Sequence, residues 1–482
     1  MRSWLPGSPP TGAELASLER NVLLVDHRRA PAPPAWHVEQ ADDDAVRAHR
    51  RLRQAAFVDD QGLFAGTDLD GTDDDPRTVT LVARGTRGTV LGGVRLAPAD
   101  PGAPDVGWWT GSRLVVAPGS PRGTGPALVA AACARAEQAG ALRFDATVQD
   151  RHAAMFAGLG WRSTGATVLG GRAHTTMTWP IGRLAALAAA TKSPLGGLLA
   201  GFGAAAGGLG GSGFVGDDGA PVPGTDVVAA CDAILPSMVE RDPEWAGWCG
   251  VLVNLNDLSA MGAAPLGLLD AVGARDASFA ARVVAGLREA SQAWGVPVLG
   301  GHTQFGVPAS LSVTALGRTS RPVPAGGGRA GHEVRLTADL GGGWRRGHTG
   351  RQWDSTSTRT TAGLQTLCSV VARTAPAAAK DVSMAGLVGT LGMLAEASGC
   401  GAELDVAAVP RPEDATVGDW FTCFPGSAFL TTDVPGAPVA DAGPGTTATC
   451  GRLVPGRGVH LRWPDGSTTP ALPGAVTGLG PA

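Results

Sequence analysis

Four short strings occur in one order through the second half of the chain. They are Gly216-Asp217-Asp218, Asn256-Asp257-Leu258-Ser259-Ala260-Met261-Gly262, Gly300-Gly301-His302-Thr303 and Lys380-Asp381-Val382-Ser383. Carboxylates drawn from separate segments, with glycine beside them, are what a protein needs to hold Mg²⁺ against a polyphosphate. Each string alone reads as a turn or a helix cap, the usual place for aspartate. Taken together they demand a fold that brings the chain back to one point several times.

At 482 residues the chain is too long for one ordinary core and predicts two or three domains. A net charge of −4, with no Lys/Arg-rich run, gives no footprint for nucleic acid and leaves phosphate-bearing small molecules as partners. Seven cysteines, widely spaced and without Cys-x-x-Cys, point away from a zinc site or a disulfide framework and toward a reducing cytoplasm. The Pro-rich start lacks the apolar run of a signal peptide. Ser193 to Gly216 is uncharged, but ten of its 24 residues are glycine, so a flexible loop is the expectation rather than a membrane span. Of 39 Lys plus Arg only Lys192 and Lys380 are lysine. An ammonium is a compact point charge where guanidinium is a planar fork, so these two positions are candidates for needing that shape; chance survival is the alternative.

Residues 1–35 read as a mobile lead-in. From Trp36 the pattern predicts a strand, then a helix capped by Asp42-Asp43-Asp44 and running through Phe57. A hairpin of Thr78–Ala83 and Val90–Leu96 follows, then a strand at Arg113–Val116. Pro118 to Gly125 is a glycine loop that opens an alanine-rich helix to about Ala139. A strand at Arg143–Val148, a helix at His152–Leu159 and a strand at His174–Trp179 complete the region. This order resembles the GNAT acyltransferase fold, and Arg122-Gly123-Thr124-Gly125-Pro126-Ala127 fits that family's Arg/Gln-x-x-Gly-x-Gly/Ala pattern. The resemblance implies that Val116, Arg122, Gly123, Gly125 and Ala127 hold acyl-CoA, such as acetyl-CoA, through backbone N–H groups at a helix start. A plain turn is the alternative. Many members place a tyrosine where Phe156 stands, to protonate the departing thiolate. The chain has no tyrosine, so Phe156 serves either as a core aromatic or as thioester lining. Arg53 to Gly62 resembles the acceptor-side helix of the autoinducer-synthase-like branch. There Asp60 would deprotonate or orient an amine, an ordinary helix-end acid being the alternative. His152 and His174 read as capping or packing residues.

The four strings of the second half resemble the superfamily of AIR synthetase, selenophosphate synthetase, thiamine-monophosphate kinase and the hydrogenase-maturation dehydratase, which bind ATP without a Walker loop. The resemblance implies a Mg²⁺ set of Asp217, Asp218, Asp232 and Asp257, with Asp232 and Asp257 expected at strand ends. It also implies a nucleotide loop of Gly300, Gly301, His302 and Thr303, and a second-lobe signature in which Lys380, Asp381 and Ser383 face phosphate at a helix start. No Cys-x-Cys-Lys-like nucleophile precedes Asp217, which disfavours selenophosphate synthesis.

The expected architecture is α/β and α+β multidomain: a GNAT-like mixed sheet with helices at 36–183, a Gly-rich linker at 184–213, and a two-lobed AIR-synthetase-like domain at 214–324 and 325–482. The expected function is acyl transfer from acyl-CoA to an amine, joined to Mg²⁺-ATP-dependent activation of a carbonyl or amide oxygen. Catalytic roles fall to Asp60, His302, Lys380 and Asp381, and Lys192 joins the ligand set. The alternative is a non-catalytic nucleotide- or CoA-binding regulator or scaffold. The superfamily resemblance further implies a homodimer.

Overall fold

Asp42 starts the first helix as the sequence predicts: its carboxylate accepts the Ala45 N–H at 2.8 Å, and Asp43 and Asp44 meet the positive end of α1 (Asp43–Arg53). The helix continues past the expected Phe57 as a π-helical stretch, Gln54–Asp60. The computed structural model describes residues 36–203 and 207–482. The expected lead-in over 1–35 lies outside the described residues.

The first sheet contains β1 (Trp36–Gln40), β2 (Val79–Gly85), β3 (Val90–Pro98), β4 (Trp108–Val116), β5 (Arg143–Gln149), β6 (Arg162–Leu169) and β7 (Arg172–Trp179). Helix α2 (Thr124–Gln138) lies between β4 and β5 in sequence, and α3 (Asp150–Gly158) between β5 and β6. The sheet order is β1-β2-β3-β4-β5-β7-β6, with β4 parallel to β5 and β6 and β7 an antiparallel pair. Strand β6 was not expected. Its sequence, Arg-Ser-Thr-Gly-Ala-Thr-Val-Leu, is exposed along almost its whole length and so lacks the apolar alternation that marks a half-buried strand.

The chain divides into two units. The first takes the described part of 1–68 with Val79–Arg95 and Arg113–Ala131; the second takes Leu69–Thr78, Leu96–Ser112 and Ala132–Ala482. In the first unit a buried ion pair, Arg53 Nε to Asp68 Oδ2 at 2.7 Å, is joined by Arg113 Nε at 3.1 Å. His49 is buried beside it and shares a 3.1 Å hydrogen bond with the Arg113 carbonyl.

The second unit continues with α4 (Arg183–Lys192) and then two lobes. Strands β8 (Ala220–Pro221), β9 (Val227–Ile234), β10 (Ala264–Ala274), β11 (Val298–Phe305) and β12 (Ser310–Arg318) form a sheet in the order β11-β10-β12-β9-β8. Helices α5 (Pro243–Ala260) and α6 (Ala277–Trp294) share its core. Gly247 and Gly286 let these helices touch, because a Cβ at either would strike the other's backbone. The run Val251–Leu255 lies inside α5, which corrects the expectation of a strand ending at Asp257. Nearly every residue of α5 is buried, so its sequence is apolar all round and carries no helical period.

The second lobe holds β13 (Glu333–Ala338), the short pair β14 (Gly343–Trp344) and β15 (Trp353–Asp354), β16 (Ala378–Asp381), β17 (Gly401–Asp405), β18 (Ala428–Asp433), β19 (Thr446–Val454), β20 (Val459–Arg462) and β21 (Thr468–Leu472). Seven of them form one sheet, β16-β18-β13-β19-β17-β20-β21. Helix α7 (Gly386–Ala397) buries Leu387, Val388, Leu391 and Leu394 in the core of this lobe. The glycine-rich segment begins with helical turns rather than loop: Arg183–Phe202 is long and apolar enough to cross a membrane by length and composition only, with mean hydropathy 1.2.

Candidate cation and phosphate site

Gly216 has φ 67°, a left-handed turn that suits glycine, and the chain then presents Asp217 and Asp218. The two aspartates part company at once. Asp217 is tied into the structure: Oδ2 accepts the Ala325 N–H at 2.7 Å, Oδ1 accepts the Asp218 N–H at 2.9 Å, and Lys380 Nζ lies 3.4 Å from Oδ1. Of the expected metal set, Asp217 is not among the carboxylates that converge on one point. Asp218 instead lies with Asp257 and Asp381, and one carboxylate oxygen from each falls within 4.8 Å of the others.

Three different local structures deliver those groups. Asp218 comes from the turn after Gly216, Asp257 from the last turn of α5, and Asp381 from the end of β16. The Asp381 N–H donates to Asp218 Oδ2 at 2.9 Å and fixes the turn against the strand. Asp232 lies in the body of β9 and not past its end, on an exposed stretch of that strand, and is not one of the three converging carboxylates.

Burial, followed by the neighbouring carboxylates, pushes Asp257 and Asp381 well above the usual aspartate range. Burial also raises Asp232, with Lys192 opposing and Asp218 adding to the rise. Lys380 is 3% exposed, and its Nζ lies 2.5 Å from Asp218 Oδ1. Burial alone would lower its pKa, but Asp218 and Asp217 together hold it above the ordinary lysine range. Lys380, expected to face phosphate, is counter-ion to the Asp217-Asp218 turn in this structure. One lysine does not balance this many carboxylates. Buried oxygen ligands with surplus negative charge fit a hard divalent cation such as Mg²⁺.

The helix start expected over Ser383–Gly386 is shorter than predicted. Helix α7 begins at Gly386, and the Ser383 N–H already donates to Thr390 Oγ1 at 3.4 Å. Gly300, Gly301, His302 and Thr303 lie on β11, exposed throughout. The contacts that assemble the acidic cluster come from the Asp217-Asp218 turn, α5 and β16 and do not include this string. Gly301 has a packing reason of its own, since a Cβ there would strike the Asp270 carbonyl of β10.

In the first region, Val116 is 37% exposed at the end of β4 and Arg122 is exposed. Gly123 has φ 92° and open space where a Cβ would stand, while Gly125 and Ala127 lie in the first turn of α2. Phe156 is buried and meets Trp161 edge-on at 5.3 Å, the packing of a core aromatic. Asp60 is exposed at the end of the π-helical stretch. Sequence reasoning missed Glu396 of α7, whose carboxylate accepts the N–H groups of Val476, Thr477 and Gly480 and the Thr477 hydroxyl. Leu479 of that fastened segment packs where a Cβ on Gly216 would stand. No spacing in the sequence marks this contact.

A two-lobed α+β unit that gathers three carboxylates and a buried lysine from separate segments is the class this geometry defines: a protein with a candidate cation-binding cluster between those segments. The chain belongs to the AIR synthase related family. The family's N-terminal domain matches residues 216–319 and its C-terminal domain residues 337–454. A protein of Synechocystis is 35% identical over 224 residues, spanning 45% of this chain and 69% of that one. A protein of Methanocaldococcus jannaschii is 30% identical over 195 residues, 39% of this chain and 60% of that one. A thiamine-monophosphate kinase of Archaeoglobus fulgidus is 30% identical over 122 residues, 24% of this chain and 40% of its own. Among solved structures, thiamine monophosphate kinase from Aquifex aeolicus is 20% identical with a TM-score of 0.40, covering 53% of this chain and 92% of that chain.

Proposed function

We propose that the second unit binds ATP with Mg²⁺ and uses it to activate a carbonyl or amide oxygen of a small molecule as a phosphate ester, which then leaves in a dehydration or ring closure. The observation that carries this reading is the convergence of Asp218, Asp257 and Asp381 within 4.8 Å. Similarity to thiamine-monophosphate kinases supports it, since their name describes phosphoryl transfer to a small molecule.

Asp218, Asp257 and Asp381 would hold the cation, which when bound supplies charge to screen polyphosphate oxygens. Lys380 holds the Asp218 carboxylate in place through their 2.5 Å ion pair, so the site is organised before ligand arrives. Asp257→Asn tests the reading. ATP with Mg²⁺ at about a hundredfold excess over Kd stabilises a native protein by about 2.7 kcal/mol, and the variant is expected to lose that gain while folding normally. Equal gains in wild type and variant would remove the site.

The first region, by its element order and its Arg122–Ala127 loop, is proposed to bind acyl-CoA and pass the acyl group to an amine. Burial of Phe156 and the absence of tyrosine favour a second reading for it, a CoA-binding module without its own acid. We further propose a homodimer formed at β11, an edge strand with Val298, Leu299 and Phe305 at 41%, 57% and 56% exposure. A cytoplasmic setting belongs to the same proposal, in keeping with seven unpaired cysteines.

A further inference from the structure

The turn that carries Asp218 is closed within its own segment by the Gly216 N–H on the Leu209 carbonyl at 3.1 Å and the Asp217 N–H on the Phe214 carbonyl at 3.2 Å. Two further contacts seat it on the second lobe, and both trace to the C-terminal end of α7. On one side the Ala325 N–H donates to Asp217 Oδ2 at 2.7 Å. The Ser398 hydroxyl, just past α7, holds that loop by donating to the Ala325 carbonyl and accepting the Gly328 N–H, each at 3.1 Å. On the other side Leu479 packs against Gly216. The segment bearing Leu479 is fastened to the same helix end. Glu396 Oε2 accepts the N–H groups of Val476 and Thr477 at 2.7 and 2.8 Å, and Oε1 accepts the Gly480 N–H and the Thr477 hydroxyl, each at 3.1 Å. Thr477 Oγ1 in turn accepts the Leu479 N–H at 3.1 Å. Glu396, Thr477, Leu479, Gly216 and Lys380 border one narrow cavity, and Lys380 is the residue paired with Asp218.

Asp257 and Asp381 stand on regular elements, the last turn of α5 and the end of β16, whereas Asp218 stands on a turn. Ligand groups must be held within about 0.5 Å of their working geometry, so Asp218 is the member of the cluster that most needs support from outside its own segment. We propose that Glu396 is a positioning residue of the cation site. By fastening residues 476–480 it seats Leu479 against Gly216, and so sets where Asp218 stands relative to Asp257 and Asp381. This assignment rests on the cation reading given above. Glu396 is suited to the task because four donors occupy its two oxygens and leave the carboxylate one orientation. Bonds to an ionised acceptor are also stronger than neutral ones, which makes this fastening firmer than an ordinary loop contact.

The test uses the full chain, with Mn²⁺ as the metal probe, and measures Mn²⁺ affinity and thermal stability on wild type, Glu396→Gln, Leu479→Ala, the double variant and Asp257→Asn. Glutamine keeps the size of the side chain but turns one accepting oxygen into a donor that faces N–H groups. Glu396→Gln is expected to bind Mn²⁺ roughly tenfold more weakly at a temperature where it is fully folded, the order found when groups that orient metal ligands are removed. Leu479→Ala keeps every hydrogen bond of Glu396 and is expected to weaken Mn²⁺ severalfold, which tests the route even where Glu396→Gln does not fold. Both changes act through Gly216, so the double variant is expected to lose little more than Glu396→Gln alone. A merely structural latch lowers the melting temperature and leaves the Mn²⁺ affinity of the folded protein unchanged, and that result overturns the assignment. Losses that multiply in the double variant overturn it too, since they belong to two independent paths. If wild type binds no Mn²⁺, or Asp257→Asn binds it equally, the cation reading itself falls and takes the assignment with it. Mn²⁺ bound by wild type, lost in Asp257→Asn and kept in both Glu396→Gln and Leu479→Ala leaves the cation site standing and removes Glu396 alone.

Discussion

Lys380 Nζ lies 2.5 Å from Asp218 Oδ1, and both side chains are buried, at 4% and 7% exposure. The pair joins the end of β16 to the turn after Gly216, two segments far apart in sequence. Removing one partner of such a pair leaves an uncompensated buried charge, which costs about 3–5 kcal/mol. Lys380→Met is therefore expected to lose about that much unfolding free energy and to unfold at lower denaturant concentration, and added Mg²⁺ should restore part of the loss by satisfying Asp218. Denaturant titrations with and without Mg²⁺ read this directly. A variant as stable as wild type without metal would show that the pair is not an organising contact.

The edge strand gives a second expectation. Leu299 is 57% exposed on β11, so a charge there costs the isolated fold little, but it would place like charges together in a paired sheet. Leu299→Lys should convert a dimer to a monomer in light scattering with unchanged circular dichroism. Monomeric wild type at micromolar concentration would end the dimer proposal.

The four strings made the second unit legible because three of them carry the carboxylates and the lysine that the fold gathers. Which aspartate does what was not legible. Asp217 and Asp218 are identical in type and adjacent, and what tells them apart is contact with distant residues, such as the Ala325 N–H on Asp217 Oδ2, that no spacing shows. Asp257 was expected on a strand end because a wholly buried helix shows no period. Glu396 was invisible because its partners, Val476 to Gly480, lie some eighty residues away and are mostly backbone N–H groups that any sequence supplies. In the first region, a loop opening a helix was readable at Gly123 and Gly125, while β6 was not, since an exposed strand of small polar residues resembles a turn.

His49 gives the first unit a pH dependence. Burial, with the Arg53 charge adding, pushes its pKa down from the ordinary histidine value of 6.5 to about 4, against the Arg113 and Gly93 backbone and Asp68, which favour protonation. Between those values the unfolded chain binds a proton that the folded chain refuses, so stability rises with pH across the window. The contribution is complete above pH 6.5 and is lost as pH falls toward 4, by on the order of 3 kcal/mol. His49→Gln should flatten the acid limb of the stability curve measured by denaturant unfolding. An equally steep limb in the variant would assign the dependence to other groups.

The acyl-CoA proposal depends on backbone approach at the start of α2. Gly125 is the second residue of that helix, and valine is no worse than glycine in a helix, so Gly125→Val is expected to fold. Its side chain would stand where a pyrophosphate must come close to the N–H groups, so CoA binding should fall by at least roughly tenfold, with Mg²⁺-ATP binding by the second unit untouched. Calorimetry with CoA and with acetyl-CoA separates the two readings of this region. Transfer to an amine requires the thioester to be held and its thiolate to leave, and without a tyrosine that leaving lacks the roughly 10²–10⁴-fold that a general acid supplies. Tight CoA binding with transfer slower by such a factor would describe an acyltransferase without its acid. Tight binding with no transfer would describe a sensing module, and no binding of either ligand at millimolar concentration would leave the Arg122–Ala127 loop as a turn.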